Sequence, residues 1–329
     1  MSEGAERTED TTMRAALIDA FGPAEALEIR RIPRPLPGPD EVTVRVRTAG
    51  VQLTDAAIRA GWTPPGARID FPQTLGNEFA GIVVDVGSEV GDLRVGDEVA
   101  GFRVLGCYAD FVAVPAAQVV RKPATVPWET AGALSASGQT AHTALELLDV
   151  REGETLVVHG AAGGVGSMAV QLAVARGAHV VGTASAVNHE YVRSLGAEPV
   201  EYGEGQLRRI LDAAPRGVDA VLDTAGHDNL LTAVHLGADR DRIGTIVDVG
   251  LQSLLGCRWI RSDRSAARLA ELLDLCAAGS LNVHVRAALP LEEVARAHRD
   301  VETGHGRGKI VLVVSEDDPG PSRADGGRP

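Results

Sequence analysis

"GAAGGVGSMAV", residues 160–170, separates the apolar run "TLVVH" at 155–159 from the stretch "MAVQLAVARGA" at 168–178. A dinucleotide site needs that order: a strand, a tight turn, close approach of backbone to a pyrophosphate, and a helix whose first amides face the anion. Gly163 permits the approach, and Gly166 stands where the helix must pack closely on the strand. The pattern is A-x-G-x-x-G, with Ala161 in the first glycine position and Ala162, Gly164 and Val165 completing the loop.

Such a motif is weak alone, and its surroundings strengthen it. The chain continues with "HVVGTA" (179–184), "NHEYVRSLGA" (188–197), "EPVEY" (198–202), "GQLRRILDAA" (205–214), "DAVLDTA" (219–225), "NLLTAVHLG" (229–237) and "IGTIVDVG" (243–250). Apolar strands alternating with amphipathic helices predict an α/β, doubly wound parallel sheet covered on both faces. Ligands of such sheets bind beyond the carboxyl ends of the strands, which points to backbone contacts from Ala225 and Gly250.

About 20 residues past the glycines, the end of the second strand selects between NAD and NADP. It reads "TASAVNH" and offers no carboxylate to a ribose 2′-hydroxyl. Ser185, Asn188 and His189 can donate to a 2′-phosphate instead, so the expected cofactor is NADP(H).

The N-terminal part has another texture. "MRAALIDAF" (13–21), "EVTVRVRTAGV" (41–51), "AGIVVDVGSEV" (80–90), "DEVAGF" (97–102) and "YADFVAVP" (108–115) are short β-rich runs punctuated by Gly, Pro and Asp, the pattern of a barrel-like domain. After about residue 262 the regular alternation stops, and the C-terminal segment is expected to return to that first domain. The expected organisation is a β-barrel-type domain over 12–130 and 263–315, a nucleotide-binding domain over 131–262, and disordered tails at 1–11 and 316–329.

Composition narrows the function. A formal charge of −13, with no Lys/Arg-dense segment, argues against nucleic acid. No apolar run reaches the roughly 18–20 residues of a membrane span, and the acidic N-terminus has no signal pattern. Three cysteines, Cys107, Cys257 and Cys276, lie too far apart for CxxC chemistry and read as reduced thiols. A cytoplasmic protein is expected.

Taken together, "MRAALIDAFGPAEALEIRRIPRPLPGPDEVTVRVRTAGV", "LTDAAIRAG", "LGNEFAGIVVDVGSEV", "LRVGDEVAGF", "AAGGVG" and "GRGKIVLV" occur in the order of a known family. The chain resembles the zinc-independent, quinone oxidoreductase branch of the medium-chain dehydrogenases/reductases over about residues 13–314. The resemblance implies a GroES-like catalytic domain, a cleft between it and the Rossmann domain, and a homodimer, with "CRWIRSD" (257–263) as the edge segment. It also implies that Thr140 contacts the nicotinamide side of the cofactor from the start of the helix linking the domains, and that Lys309 lies near the cleft. "GHGRGK" (304–309) is no Walker loop, having three residues between its outer glycines and Ile310 after the lysine.

Zinc-dependent relatives carry Cys where this chain has Gln52 and His where it has Asn77. Neither replacement is a normal zinc ligand, so no metal is expected. Many zinc-free reductases carry Asn at the position of Gln52 and Tyr at that of Trp62. An indole N–H is far too weak an acid to replace a phenol in proton transfer, which makes Trp62 a pocket wall. Gln52 and Thr54 are the polar groups expected to face nicotinamide or substrate, and Asp55 is expected to orient the adjacent helix. The resulting expectation is NADPH-dependent hydride transfer to a small-molecule electron acceptor, a quinone or an α,β-unsaturated carbonyl. The alternatives are a biosynthetic tailoring enoyl or keto reductase and a nucleotide-binding homologue without turnover.

Overall fold

The computed structural model describes residues 11–315. The tails expected to be disordered lie outside the described residues, apart from Thr11.

The first region contributes strands β1 (Thr12–Ile18), β2 (Glu28–Pro33), β3 (Glu41–Val51), β4 (Gln73–Thr74), β5 (Glu78–Val86), β6 (Glu98–Phe102), β7 (Phe111–Pro115) and β8 (Val119–Arg121), with helix α1 (Leu53–Arg59) following β3. Helix α2 (Trp128–Leu147) leads to the second region: β9 (Thr155–His159), α3 (Gly164–Ala175), β10 (His179–Ala184), α4 (His189–Ser194), β11 (Glu198–Glu201), α5 (Gln206–Ala213), β12 (Ala220–Asp223), α6 (Asn229–His235), β13 (Ile243–Thr245), α7 (Val249–Leu255) and β14 (Arg258–Trp259). The chain ends through α8 (Ala266–Ala277), β15 (Val285–Pro290), α9 (Val294–Glu302) and β16 (Lys309–Val313).

The second region is a six-stranded sheet, all parallel, in the order β11-β10-β9-β12-β13-β14. Its middle strand β9 is buried at every residue, as a parallel strand covered on both faces must be. The last strands pair with the first region: β16 runs antiparallel to β3 and parallel to β15 within the order β15-β16-β3-β5-β6-β8, with β7 also on β3. A smaller sheet, β2-β1-β4, completes this part.

Helix α2 lies between the two regions, and small residues let it do so. A Cβ on Gly132 would stand 2.2 Å from Thr48 Oγ1 of β3, and one on Gly138 would stand 3.1 Å from Leu272 Cδ1 of α8. One apolar core joins α2, α3, α8 and the parallel sheet, whereas another fills the first region around Val44, Val46, Phe79 and Tyr108.

Two boundaries differ from expectation. The run "IGTIVDVG" is a strand only to Thr245, whose Oγ1 accepts from the amides of Val247 (3.1 Å) and Asp248 (3.2 Å) and so turns the chain. Asp248 then caps α7 by accepting from Leu251 N at 2.8 Å, which places Gly250 in a helix instead of at a strand end. Helix α2 starts at Trp128, so Thr140 lies past its middle and not at the start of the linking helix.

Candidate active site

The glycine loop closes β9 onto α3. Gly160 turns the chain with φ +78°, and Gly163 caps a twelve-residue helix whose first amides have no carbonyl one turn earlier. Gly166 packs against that turn, where an added Cβ would be 2.2 Å from Gly160 O. Ala161 fits the first glycine position because Gly182 faces it from β10; a Cβ on Gly182 would be 2.7 Å from the Ala161 methyl. Ala162 O accepts from Gly308 N at 2.9 Å, and Gly163 bridges to Gly308, which ties the loop to the C-terminal segment.

The wall facing the helix N-terminus is polar. A Cβ on Gly164 would lie 3.0 Å from Lys309 Cδ and 3.1 Å from Ser137 Oγ. Lys309 Nζ donates to Glu78 Oε1 at 3.0 Å, and the two side chains are 3% and 0% exposed. The same Oε1 accepts from the Gln52 amide, and Oε2 accepts from Ala136 N at 2.6 Å. Gln52 Oε1 faces Ser137 Oγ at 3.5 Å. One N–H of Gln52 is therefore held by Glu78, and the second has no partner among the described residues. Gly50 makes the arrangement possible, since a Cβ there would be 1.9 Å from Glu78 Oε1.

Asp55 supports this layer from beneath. It accepts from Gln52 N (3.0 Å), Asn77 Nδ2 (3.0 Å) and Tyr108 OH (2.7 Å), closing the first turn of α1 as a capping box. Burial pushes its carboxyl up to about 6 against the pull of the Tyr108 and Gln52 hydrogen bonds. Burial likewise drives the Tyr108 hydroxyl well above its ordinary value, with the neighbouring Asp55 adding to the effect. This agrees with the orienting role expected of Asp55.

Beyond β10, Ser185 Oγ accepts from Asn188 Nδ2 at 3.0 Å, and His189 Nε2 lies 3.3 Å from Ala184 O. Arg307 reaches this turn from the C-terminal segment, donating from Nε to Asn188 Oδ1 at 3.1 Å with its guanidinium 4.7 Å above the Tyr191 ring. The amide of Ala225, at the end of β12, is held by Asp223 Oδ1 at 3.1 Å.

The expected residues thus divide. The loop 161–166, Gln52 and Lys309 come together, and Ser185, Asn188 and His189 form one turn. Thr54 is exposed, Trp62 is 47% exposed, and the Thr140 hydroxyl donates to Ala136 O of its own helix at 2.6 Å. Glu78, Ser137 and Arg307 escaped sequence reasoning as site residues. A buried acid in a β-run, as in "NEFAG", was the one available signal for Glu78.

A parallel sheet with a glycine-capped helix, facing a polar wall from a β-rich region, defines a two-part nucleotide-binding fold of the dehydrogenase/reductase class. Residues 38–124 match the alcohol dehydrogenase GroES-like domain and 195–312 match the zinc-binding dehydrogenase family. A quinone oxidoreductase of Pseudomonas aeruginosa is 32% identical, covering 89% of this chain and 97% of that protein. The rat synaptic vesicle membrane protein VAT-1 homolog is 30% identical, covering 94% and 85%. Among solved structures, the quinone oxidoreductase of Coxiella burnetii superposes with TM-score 0.86 at 28% identity, covering 92% of this chain and all of that one. The Escherichia coli quinone oxidoreductase complexed with NADPH gives 0.80 at 26%, with 92% and 100% covered. The chain belongs to the quinone oxidoreductase-like medium-chain dehydrogenases/reductases.

The zinc implied by one family description does not fit the residues present. Gln52 and Asn77 hydrogen-bond to carboxylates through their amide nitrogens, which are not metal donors. Among the described residues no group of three or more His, Cys, Asp or Glu could hold a metal ion.

Proposed function

We propose that this protein is a zinc-independent, NADPH-dependent reductase of quinones or α,β-unsaturated carbonyls. The observation that carries the reading is the shared wall: Ser137 and Lys309 pack on the helix that would hold the pyrophosphate while joining the Gln52–Glu78 network. Gly163, Gly164, Val165 and Gly166 would hold the pyrophosphate, and the bound nicotinamide would supply a hydride. Gln52 presents a neutral N–H toward the acceptor, fixed by Glu78, and Ser137 offers a hydroxyl beside it. On this reading Trp62 would wall the acceptor pocket, Thr54 would face nicotinamide or substrate, and Thr140 would contact the nicotinamide side of the cofactor. Ala225, just past the end of β12, flanks the carboxyl edge of the sheet.

Preference for NADP(H) is supported by the turn after β10, where Ser185, Asn188 and His189 provide donors, Arg307 provides a cation, and Ala184 stands where a carboxylate would repel phosphate. A homodimer through the edge strand β14 and a cytoplasmic location complete the proposal; an exposed edge needs a cover or a partner. A domain division at about residues 130 and 262 follows from the same reading.

Calorimetric titration of the full chain with NADPH and NADH tests the assignment. Tight binding of NADPH with much weaker binding of NADH is expected. Equal weak binding of both overturns the nucleotide assignment.

A further inference from the structure

Arg264 is a cation that the network described above does not use. It lies on the connection between β14 and α8, beyond the carboxyl end of a parallel strand and so on the sheet edge where ligands bind. The connection is pinned to α2: Asp263 N donates to Thr143 Oγ1 at 3.2 Å, and Ser265 N donates to Gln139 Oε1 at 2.8 Å. From there the Arg264 side chain crosses to the first region, where Nη1 donates to Asn77 O at 3.0 Å and the guanidinium lies 5.3 Å from the Phe102 ring centre.

No carboxylate among the described residues pairs with this guanidinium. Arg59 and Arg242, by contrast, pair with Glu302 and Glu154. The groups whose field reaches Arg264 are the buried thiol of Cys107 and the acids Glu78 and Asp55, and both acids are committed: Glu78 to Lys309, Gln52 and Ala136, and Asp55 to Tyr108, Asn77 and Gln52 N. Burial works against the Arg264 charge more strongly than those acids favour it. A guanidinium has five donors, of which one is used here, and the half-buried side chain leaves the others able to meet an anion. Asn77 bonds Asp55 through its side chain and Asp55 also holds the Gln52 backbone amide, so Arg264 joins the hydrogen-bonded layer that carries Gln52.

We propose that Arg264 binds the oxygen of the acceptor and holds the negative charge that develops there. The inference rests on the reductase reading above and deepens it: the acceptor is a carbonyl conjugated to the carbon that is reduced. That carbon takes a hydride, two electrons with one hydrogen nucleus, from the reduced nicotinamide, which is oxidised. The carbon–oxygen π pair moves onto oxygen, and the oxyanion beside Arg264 then takes a proton from water. Arginine does not give up its own proton, so Arg264 stabilises charge and donates none.

The test uses the full chain with oxidised NADP and para-nitrophenol, whose neutral and anionic forms differ in absorbance. Wild type is expected to bind the anion, with Arg264→Met weakening binding at least about tenfold and Arg264→Lys less so. In turnover, Arg264→Ala is expected to lower kcat about 10²-fold with the KM for NADPH unchanged, and added guanidinium ion is expected to restore part of it. Equal nitrophenolate binding by wild type and Arg264→Met overturns the proposal, as does absence of binding to wild type or a loss of kcat that guanidinium does not rescue. If Arg264→Met raises KM only for carboxylate-bearing quinones, the residue reads a substrate carboxylate and the oxyanion role falls. Nitrophenolate bound through Arg264 without reduction of any quinone or enone refutes the reductase reading while leaving the anion site standing.

Discussion

Removing one partner of the Lys309–Glu78 pair should be far more damaging than removing both. The ions are 3.0 Å apart and almost fully buried, and Glu78 keeps two neutral donors, the Gln52 amide and Ala136 N, when the lysine is gone. Lys309→Met retains most of the aliphatic stem and leaves a buried carboxylate without its cation, which costs about 3–5 kcal/mol. Glu78→Gln leaves the mirror-image ammonium and should cost a similar amount. At about 2–4 °C per kcal/mol for a chain of this order of size, each single variant should unfold roughly 6–20 °C below wild type in a calorimetric scan. The double variant carries neither charge and should recover about 2–3 kcal/mol relative to the sum of the singles. Single losses below about 1 kcal/mol, or losses that simply add, would refute the reasoning.

Asp55, held at about 6, binds more protons in the folded state than in the unfolded one between about pH 4 and 6, so its contribution to stability declines as pH rises through that window. Wild type should lose on the order of 3 kcal/mol relative to Asp55→Asn between pH 4 and 7, and parallel curves in a pH series of thermal scans would count against a buried carboxyl. Gly166→Ala drives a methyl into Gly160 O and should cost about 1–3 kcal/mol in thermal unfolding while weakening NADPH binding; a variant as stable as wild type would place the helix farther from the turn. Arg307→Ala should weaken NADPH binding about tenfold and leave NADH binding unchanged, as a lost phosphate contact does, and equal effects on both in calorimetry would remove Arg307 from the 2′-phosphate turn.

What could be read from sequence was local. Strand β9, the glycine turn and α3 occupy one contiguous stretch with a two-residue or helical period, and each demand of the motif falls at a fixed spacing. The strand in "IGTIVDVG" was overextended because an apolar run carries no mark of the point where the Thr245 hydroxyl turns the backbone; Asp248 as a helix cap was the available hint. The resemblance put Thr140 at the start of α2, but the helix begins at Trp128, and its Gly132 and Gly138 are contact surfaces for β3 and α8 that no local pattern marks. Glu78 and Lys309 are separated by 231 positions, and Arg264 reaches Asn77 across 187. No periodicity reports such partners, so the glycine turn was legible and the contacts between the two regions were not.

The central claim is that the glycine cradle and the Gln52–Glu78–Lys309 wall serve hydride transfer. Its most direct test is loss of the near-ultraviolet absorbance of NADPH on mixing the full chain with a panel of quinones and a panel of α,β-unsaturated carbonyls. Turnover with at least one acceptor, faster with NADPH than with NADH, is the predicted result. NADPH bound tightly yet consumed with no acceptor in either panel would contradict the account.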